Sequence, residues 1–327
     1  MAKARVWLGF AVSIVFLYIA FRGQNLSRVW QSLGEADYWW LIPGFVAYFA
    51  GLGMRTVRWS ILLQSLRKFR ERELFPVVLI GLMANNVLPF RAGEVVRAYV
   101  LSVRSNVSKS GVLATIAVEK ISDGLTMLVF MLIASVSVAL TDDLRRVGLV
   151  AALIFGGILV GLVLISTGRS RGWIMGRMVS RLPARFEQRV AAAIHSFLDG
   201  LAILRRRNEL AMVTAASLAA WLLEAMMFLF VSEAFQLHLH PGAILLTTAV
   251  ANLATLIPSS PGYVGPFEAG VLLVLVGAIG IPQVTALSYA ITLHAALYFP
   301  VTFIGLYCWW RESLSWRAIR RLSAEEA

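Results

Sequence analysis

The stretch "NNVLPFRAGEVVR" gathers two amides, a proline, two arginines and a carboxylate in a chain otherwise rich in Leu, Val, Ala and Ile. Arg91 and Arg97 carry planar guanidinium forks that match phosphate oxygens. Glu94 lies three residues before Arg97, on one face of a helix, so an internal salt bridge is the alternative. Pro89 stops a helix and Gly93 permits a turn. Asn85 and Asn86 can cap the backbone groups that such a break frees. Facing lipid, each charge costs about 2.5–3.5 kcal/mol, so the three together require a polar cavity.

Further charges fall inside apolar runs. "EKISD" sets Glu119 and Asp123 on one helix face, with Lys120 beside them. Asp123 lies deeper, whereas Glu119 is also compatible with pairing at headgroup level. "PSSPGYVGPFE" breaks a second apolar run at Pro258, Pro261, Gly262 and Gly265, and Glu268 follows as Glu94 follows the first break. Glu224 lies mid-span and needs a cavity or a partner. Arg55 and Arg58 of "RTVRW" read as side chains snorkelling to the headgroups, and His294 reads as a packing residue. His238 and His240 lack acidic or thiol company, so no metal site is expected. Ser259 and Ser260 lack a G-x-S-x-G context, and no phosphate-binding or dinucleotide loop is present. Cys308 is the only cysteine, which excludes a disulfide framework. No cofactor is expected. With no visible nucleophile–base constellation and no sizeable soluble region, the chain reads as a non-enzyme.

These residues must be positioned by helices in a membrane. Of 327 residues 59% are hydrophobic and 15% charged, against about 25% charged in soluble proteins, and mean hydropathy is +0.75. Continuous apolar runs favour helices over a β-barrel. Arginine supplies 26 of the 30 basic residues of a chain with net charge +12. Their clustering beside apolar runs marks cytoplasmic loops rather than a nucleic-acid surface. The N-terminal run, without a clear cleavage site, reads as a retained first helix.

The fold class expected is an all-α polytopic membrane protein with about six full transmembrane helices and two re-entrant hairpins. The full spans are 6–21, 39–63, 111–140, 147–166, 210–235 and 283–310. The hairpins are 74–103 and 243–281, each made of two runs too short to cross. The first begins and ends on the basic side and the second on the other. Residues 1–140 and 147–310 of a single 1–327 domain then form an inverted-topology repeat with a site at the midplane. The basic loop 168–209 contains an amphipathic helix, lying on the inner leaflet or packed on the bundle. Both termini are placed in the cytoplasm, at the cell (inner or plasma) membrane.

"RTVRW", "NNVLPFRAGEVVR", "EKISD" and "PSSPGYVGPFE", in that order, resemble the signatures of the flippase-like transmembrane domain of lysylphosphatidylglycerol synthases, in the stand-alone form without the aminoacyl-transferase domain. The resemblance covers nearly the whole chain. It implies a lipid flippase that moves a phosphate-bearing or other polar-headed lipid between leaflets. Arg91, Arg97, Asn85, Asn86, Glu94, Glu119, Asp123 and Glu268 would contact the substrate, and Pro89, Gly93, Pro258, Pro261, Gly262 and Gly265 would form the gates. A membrane-embedded transferase acting on a lipid-linked substrate, a small-anion transporter and an accessory subunit are the alternatives. The expected partner is a membrane lipid, with homo-oligomerisation open. In a Cys308-free background, a cysteine at position 176 should react with an impermeant thiol reagent only after the cytoplasmic side is opened. Labelling from outside intact cells would overturn the topology.

Overall fold

Where the sequence offers an apolar run and a cap, the chain is helical, and the computed structural model describes residues 2–88, 92–166 and 184–312. No strand occurs among them. Pro89 and Arg91, the stretch 167–183 and the tail beyond 312 lie outside the described residues.

Helix α1 (Ala2–Phe21) is followed by α2 (Leu26–Glu35) across a bend of 82°. The sequence suggests a loop in place of α2. Asn25 starts a helix instead, its side chain accepting from the Ser27 N–H. Next come α3 (Leu41–Leu63), α4 (Glu71–Val87), α5 (Gly93–Ser105) and α6 (Lys109–Ala134). The second half holds α7 (Asp142–Ser166), α8 (Ala184–Gly200), α9 (Arg207–Ala234), α10 (Pro241–Ala254), α11 (Pro266–Leu275) and α12 (Gln283–Arg311). Among the described residues α7, α9 and α12 are long and apolar enough to cross a membrane, and the bent pair α1–α2 adds a fourth if it is one span. Helices α3 and α6, at 23 and 26 residues, have the length but carry the charges that lower their hydropathy.

Two hairpins interrupt this order. α4 packs on α5, and α10 on α11. At about 1.5 Å per residue the four are all shorter than the roughly 30 Å hydrocarbon core. The packing between halves is reciprocal: α4 lies along α12, and α10 lies along α6. Helices α3 and α9 form the most extensive contact of the bundle, so close that the Ala220 carbonyl oxygen lies 3.0 Å from where a Cβ on Gly51 would sit. Small residues allow such approach where lipid supplies no hydrophobic drive.

Helix α8 packs on α6, and Leu198 near its end and Leu201 and Ile203 in the turn that follows are buried.

Buried apolar side chains form two main cores. One is built around Leu52, Phe130, Phe228 and Tyr289, and the other around Trp59, Leu63, Ile80 and Val100. On α3, Arg55 and Arg58 fall between the residues of the two. On α6, Glu119 and Asp123 lie where the second core gives way to the first. The charged side chains therefore occupy the seam between two apolar cores.

Gly93 pins the first hairpin, because a Cβ there would overlap the Gly81 carbonyl oxygen and the Asn85 carboxamide. Gly93→Ala should destabilise the fold by about 1–3 kcal/mol, the usual range for overpacking. Thermal unfolding in detergent reads this, and an unchanged midpoint would contradict so tight a hairpin.

Candidate functional site

Between the hairpins and the α3–α9 pair lies a cavity of about 390 Å³. Its polar lining comes from Arg55 (α3), Asn85 and Asn86 (α4), Glu94 (α5), Lys120 and Asp123 (α6), Glu224 (α9) and Asn252 (α10), with Tyr48, Trp221, Tyr263, His294 and Tyr298 among the ring-bearing side chains. Both hairpins and five long helices thus contribute, α7 through Phe155.

Behind this lining sits a layer of ion pairs. Glu119 receives both ends of the Arg97 fork, at 2.8 and 2.9 Å, and Arg58 Nη2 lies 3.4 Å from it. Arg58 also donates to Asp123 Oδ1 at 2.6 Å and to Ser217 Oγ at 3.0 Å. Trp221 Nε1 donates to the same Asp123 oxygen at 2.8 Å. Arg55 pairs with Glu224 across α3 and α9. Lys120 Nζ lies 3.4 Å from Glu94 and 3.9 Å from Asp123. Two guanidinium groups also cover indole rings, Arg97 on Trp59 at 3.6 Å and Arg55 on Trp221 at 4.2 Å. Arg55, Arg58, Arg97 and Lys120 thus face Glu94, Glu119, Asp123 and Glu224, a layer balanced in charge among the described residues.

The snorkelling reading of Arg55 and Arg58 is overturned. Arg58 is fully buried and Arg55 nearly so. Carboxylates within hydrogen-bond reach hold both inside, which no headgroup needs to do. Headgroup-level pairing of Glu119 also fails, because its partners are the buried Arg97 and Arg58. Arg97 and Glu119 stand behind the cavity rather than on its lining. Asn85, Asn86, Glu94 and Asp123 do reach the lining. Asn85 Oδ1 accepts from the Gly93 N–H at 2.8 Å, and its Nδ2 donates to Glu94 at 3.2 Å. It therefore caps the break as its position before Pro89 suggests. Asn86 donates to Thr302 Oγ1 on α12 at 2.8 Å, while the Tyr298 hydroxyl donates back to the Asn86 carbonyl at 3.2 Å.

The second hairpin is closed differently. Glu268 Oε2 accepts from the Gly265 N–H at 2.6 Å and Oε1 meets His294 Nδ1 at 2.5 Å. His294 Nε2 meets the Gly262 carbonyl at 2.8 Å. Gly262 and Gly265 both have positive φ, 78° and 99°, which side chains rarely adopt. Glu268 and His294 therefore belong together, with His294 facing the cavity. The sequence pointed to Glu268 alone. Among the described residues no cluster of potential metal ligands occurs.

The layer depends on Glu119, which serves two arginines. Glu119→Gln should leave both under-compensated and cost about 3–5 kcal/mol, as breaking buried pairs does. Folded yield and thermal unfolding in detergent should both drop. Parental stability would show that solvent reaches the layer.

Comparison with known proteins gives consistent relatives. The family described as the lysylphosphatidylglycerol synthase TM region matches residues 6–305. Two proteins of Methanothermobacter thermautotrophicus, each named UPF0104 membrane protein, are 28% and 25% identical. They match over 80% and 90% of this chain and 82% and 90% of their own lengths. A protein of Haloferax volcanii named glycosyltransferase AglD is 28% identical over 90% of this chain, a match that spans 51% of that protein. The last likeness overturns the exclusion of enzymatic activity drawn from the sequence. The absence of a recognisable triad or nucleotide loop says nothing against group transfer built from carboxylates on separate helices. With nearly its whole length matched, the chain belongs to the family of lysylphosphatidylglycerol synthase transmembrane regions.

Proposed function

We propose that the chain acts on a lipid-linked substrate in a transferase-type role, with the polar head of the lipid held in the cavity. The observation that carries this reading is Glu94. It lines the cavity, and its Oε2 is buried without a hydrogen-bond partner among the described residues. A buried acceptor left open costs free energy until a donor arrives. Asn85, Asn86 and Asn252 add amides, and Tyr48, Tyr263 and Trp221 add rings, a lining suited to the hydroxyls and faces of a saccharide. The likeness to a protein named as a glycosyltransferase supports the same reading. The volume of about 390 Å³ falls in the range of small-molecule pockets.

In this reading an acceptor hydroxyl attacks the transferred group and passes its proton to Glu94 Oε2, while the bond to the leaving group breaks and the leaving group keeps the electron pair. Asp123, fixed by Arg58 and Trp221, orients a second hydroxyl. Arg91 keeps its assignment as a ligand for the phosphate of the lipid link. Arg97 and Glu119 act behind the site, holding the wall that presents Glu94.

A second reading, passage of the same head between leaflets, is favoured by the two hairpins on the cavity. Their reciprocal packing on α12 and α6 supports the inverted repeat, with Pro89 and Gly93 on one gate and Pro258, Pro261, Gly262 and Gly265 on the other. Placement in the cell membrane with cytoplasmic termini belongs to this proposal.

Proteoliposomes holding a labelled polyprenyl-linked saccharide and an acceptor lipid separate the readings: transfer gives a new product, whereas passage changes only the accessible leaflet. Glu94→Gln should slow turnover about tenfold or more, the worth of one charge-assisted hydrogen bond, with thermal unfolding unchanged. Turnover at the parental rate would remove Glu94 from the site.

A further inference from the structure

His294 and Glu268 raise a question of proton count that the lipid-linked reading leaves aside. The Gly262 carbonyl can only accept, so the His294 Nε2 that meets it at 2.8 Å carries a hydrogen. The other ring nitrogen, Nδ1, meets Glu268 Oε1 at 2.5 Å. A hydrogen bond there needs one more proton, on Nδ1 or on the carboxyl. Imidazolium with carboxylate, or imidazole with carboxylic acid, satisfies both contacts. Neutral imidazole with carboxylate satisfies one only. It would set the Nδ1 lone pair against a carboxylate oxygen at 2.5 Å.

We infer that the His294–Glu268 pair is a proton-binding site, whose bound proton locks the second hairpin and whose release opens it onto the cavity. The lock has its place in the fold. Glu268 opens α11 and also accepts from Gly265, so it ties the end of the break to His294 on α12. Gly262 lies within the break and is held through its carbonyl. Between these ties sits Tyr263, a non-glycine residue at φ 62°. Such backbone is strained and persists only while its surroundings impose it. Losing the shared proton removes one of those ties. The strained segment can then relax where Tyr263, Leu256 and His294 line the cavity.

The surroundings add little that competes. Phe267 lies against the imidazole, with ring centroids 4.6 Å apart, and Tyr298 meets it edge-on at 6.1 Å. The other ionisable residues on the cavity are Tyr48 and Arg55 from α3, Glu94 from α5, Lys120 and Asp123 from α6, Glu224 from α9 and Tyr263 from the break. Their carboxylates are engaged with Arg55, Arg58 and Lys120. Among the described residues, Glu268 is the ionisable side chain hydrogen-bonded to the imidazole. The ligand of this site is a proton drawn from the cavity, and the direction is fixed: locked when protonated, released as pH rises.

Glu268→Gln provides the test. Its carboxamide oxygen still accepts from Gly265, and its N–H donates to Nδ1 without any titratable proton. All three contacts survive and the lock no longer depends on pH. The readout is thiol labelling of Leu253→Cys, a buried position on the cavity, in the full chain with Cys308→Ser. It is divided by labelling of Asp142→Cys, exposed outside the bundle, to cancel the intrinsic pH dependence of thiols. With Glu268 present the ratio should climb with pH, by up to about tenfold per unit while the protonated pair predominates. With Glu268→Gln it should stay flat and low. Should that variant fail to fold, His294→Gln also removes the shared proton and must abolish the pH dependence. A ratio independent of pH in the parental chain, or a dependence that survives either substitution, would overturn the proposal. Neither outcome bears on which lipid the cavity holds, because no lipid substrate enters the measurement.

Discussion

A carboxylate shared by two buried arginines holds the centre of this protein together. Glu119 takes the Arg97 fork on one side and Arg58 on the other. Neither arginine would stay at that depth alone, since an unpaired guanidinium is expensive inside a membrane protein. Through these contacts α3, α5 and α6 are set in mutual register, and Arg58 with Ser217 and Arg55 with Glu224 extend it to α9. Buried ion pairs are poor sources of net stability. What this layer supplies is uniqueness: a helix slid by one turn would bring a guanidinium against one of the two apolar cores.

The same layer explains why the cavity can be polar without filling the interior with unmatched charge. Two of the four cations lie behind the lining, and three of the four carboxylates lie on it. Arg58 and Arg97 are withdrawn, while Glu94, Asp123, Asn85 and Asn252 face the open space. A ligand therefore meets acceptors whose charge is already compensated, by Arg58 from behind and by Arg55 and Lys120 on the lining. Stacking on Trp59 and Trp221 lets two of the guanidinium faces be covered by indole rather than water.

Much of this was legible in the sequence. Apolar runs located the long helices, and prolines with glycines beside Glu94 and Glu268 located the breaks. Other parts were hidden for a physical reason. An arginine near a helix end reads the same whether it reaches for headgroups or for a carboxylate. The partners of Arg55 and Arg58 are 169 and 65 residues away, and one sequence holds no record of such pairings. His294 looked like packing because its partner Glu268 sits on another helix. α2 was missed because its charged, short sequence resembles a loop, and only the Asn25 cap marks it as a helix. Arg91, the centre of the sequence argument, falls outside the described residues, so its role rests on its chemistry alone.

The bend of 82° between α1 and α2 has a mechanical meaning of its own. Leu26 and Trp30 are largely exposed on α2, and Trp39 follows in the next turn, equally exposed. Tryptophans favour the boundary between acyl chains and headgroups. Placed at that boundary, the sideways helix, with Trp30 on it and Trp39 just beyond it, would fix the protein's height there. Changes in bilayer thickness must then be absorbed at the opposite surface, by tilt of the long helices or by deformation of the lipid. The two leaflets would then not be mechanically equivalent for this molecule: one would serve as the reference, and the other would accommodate.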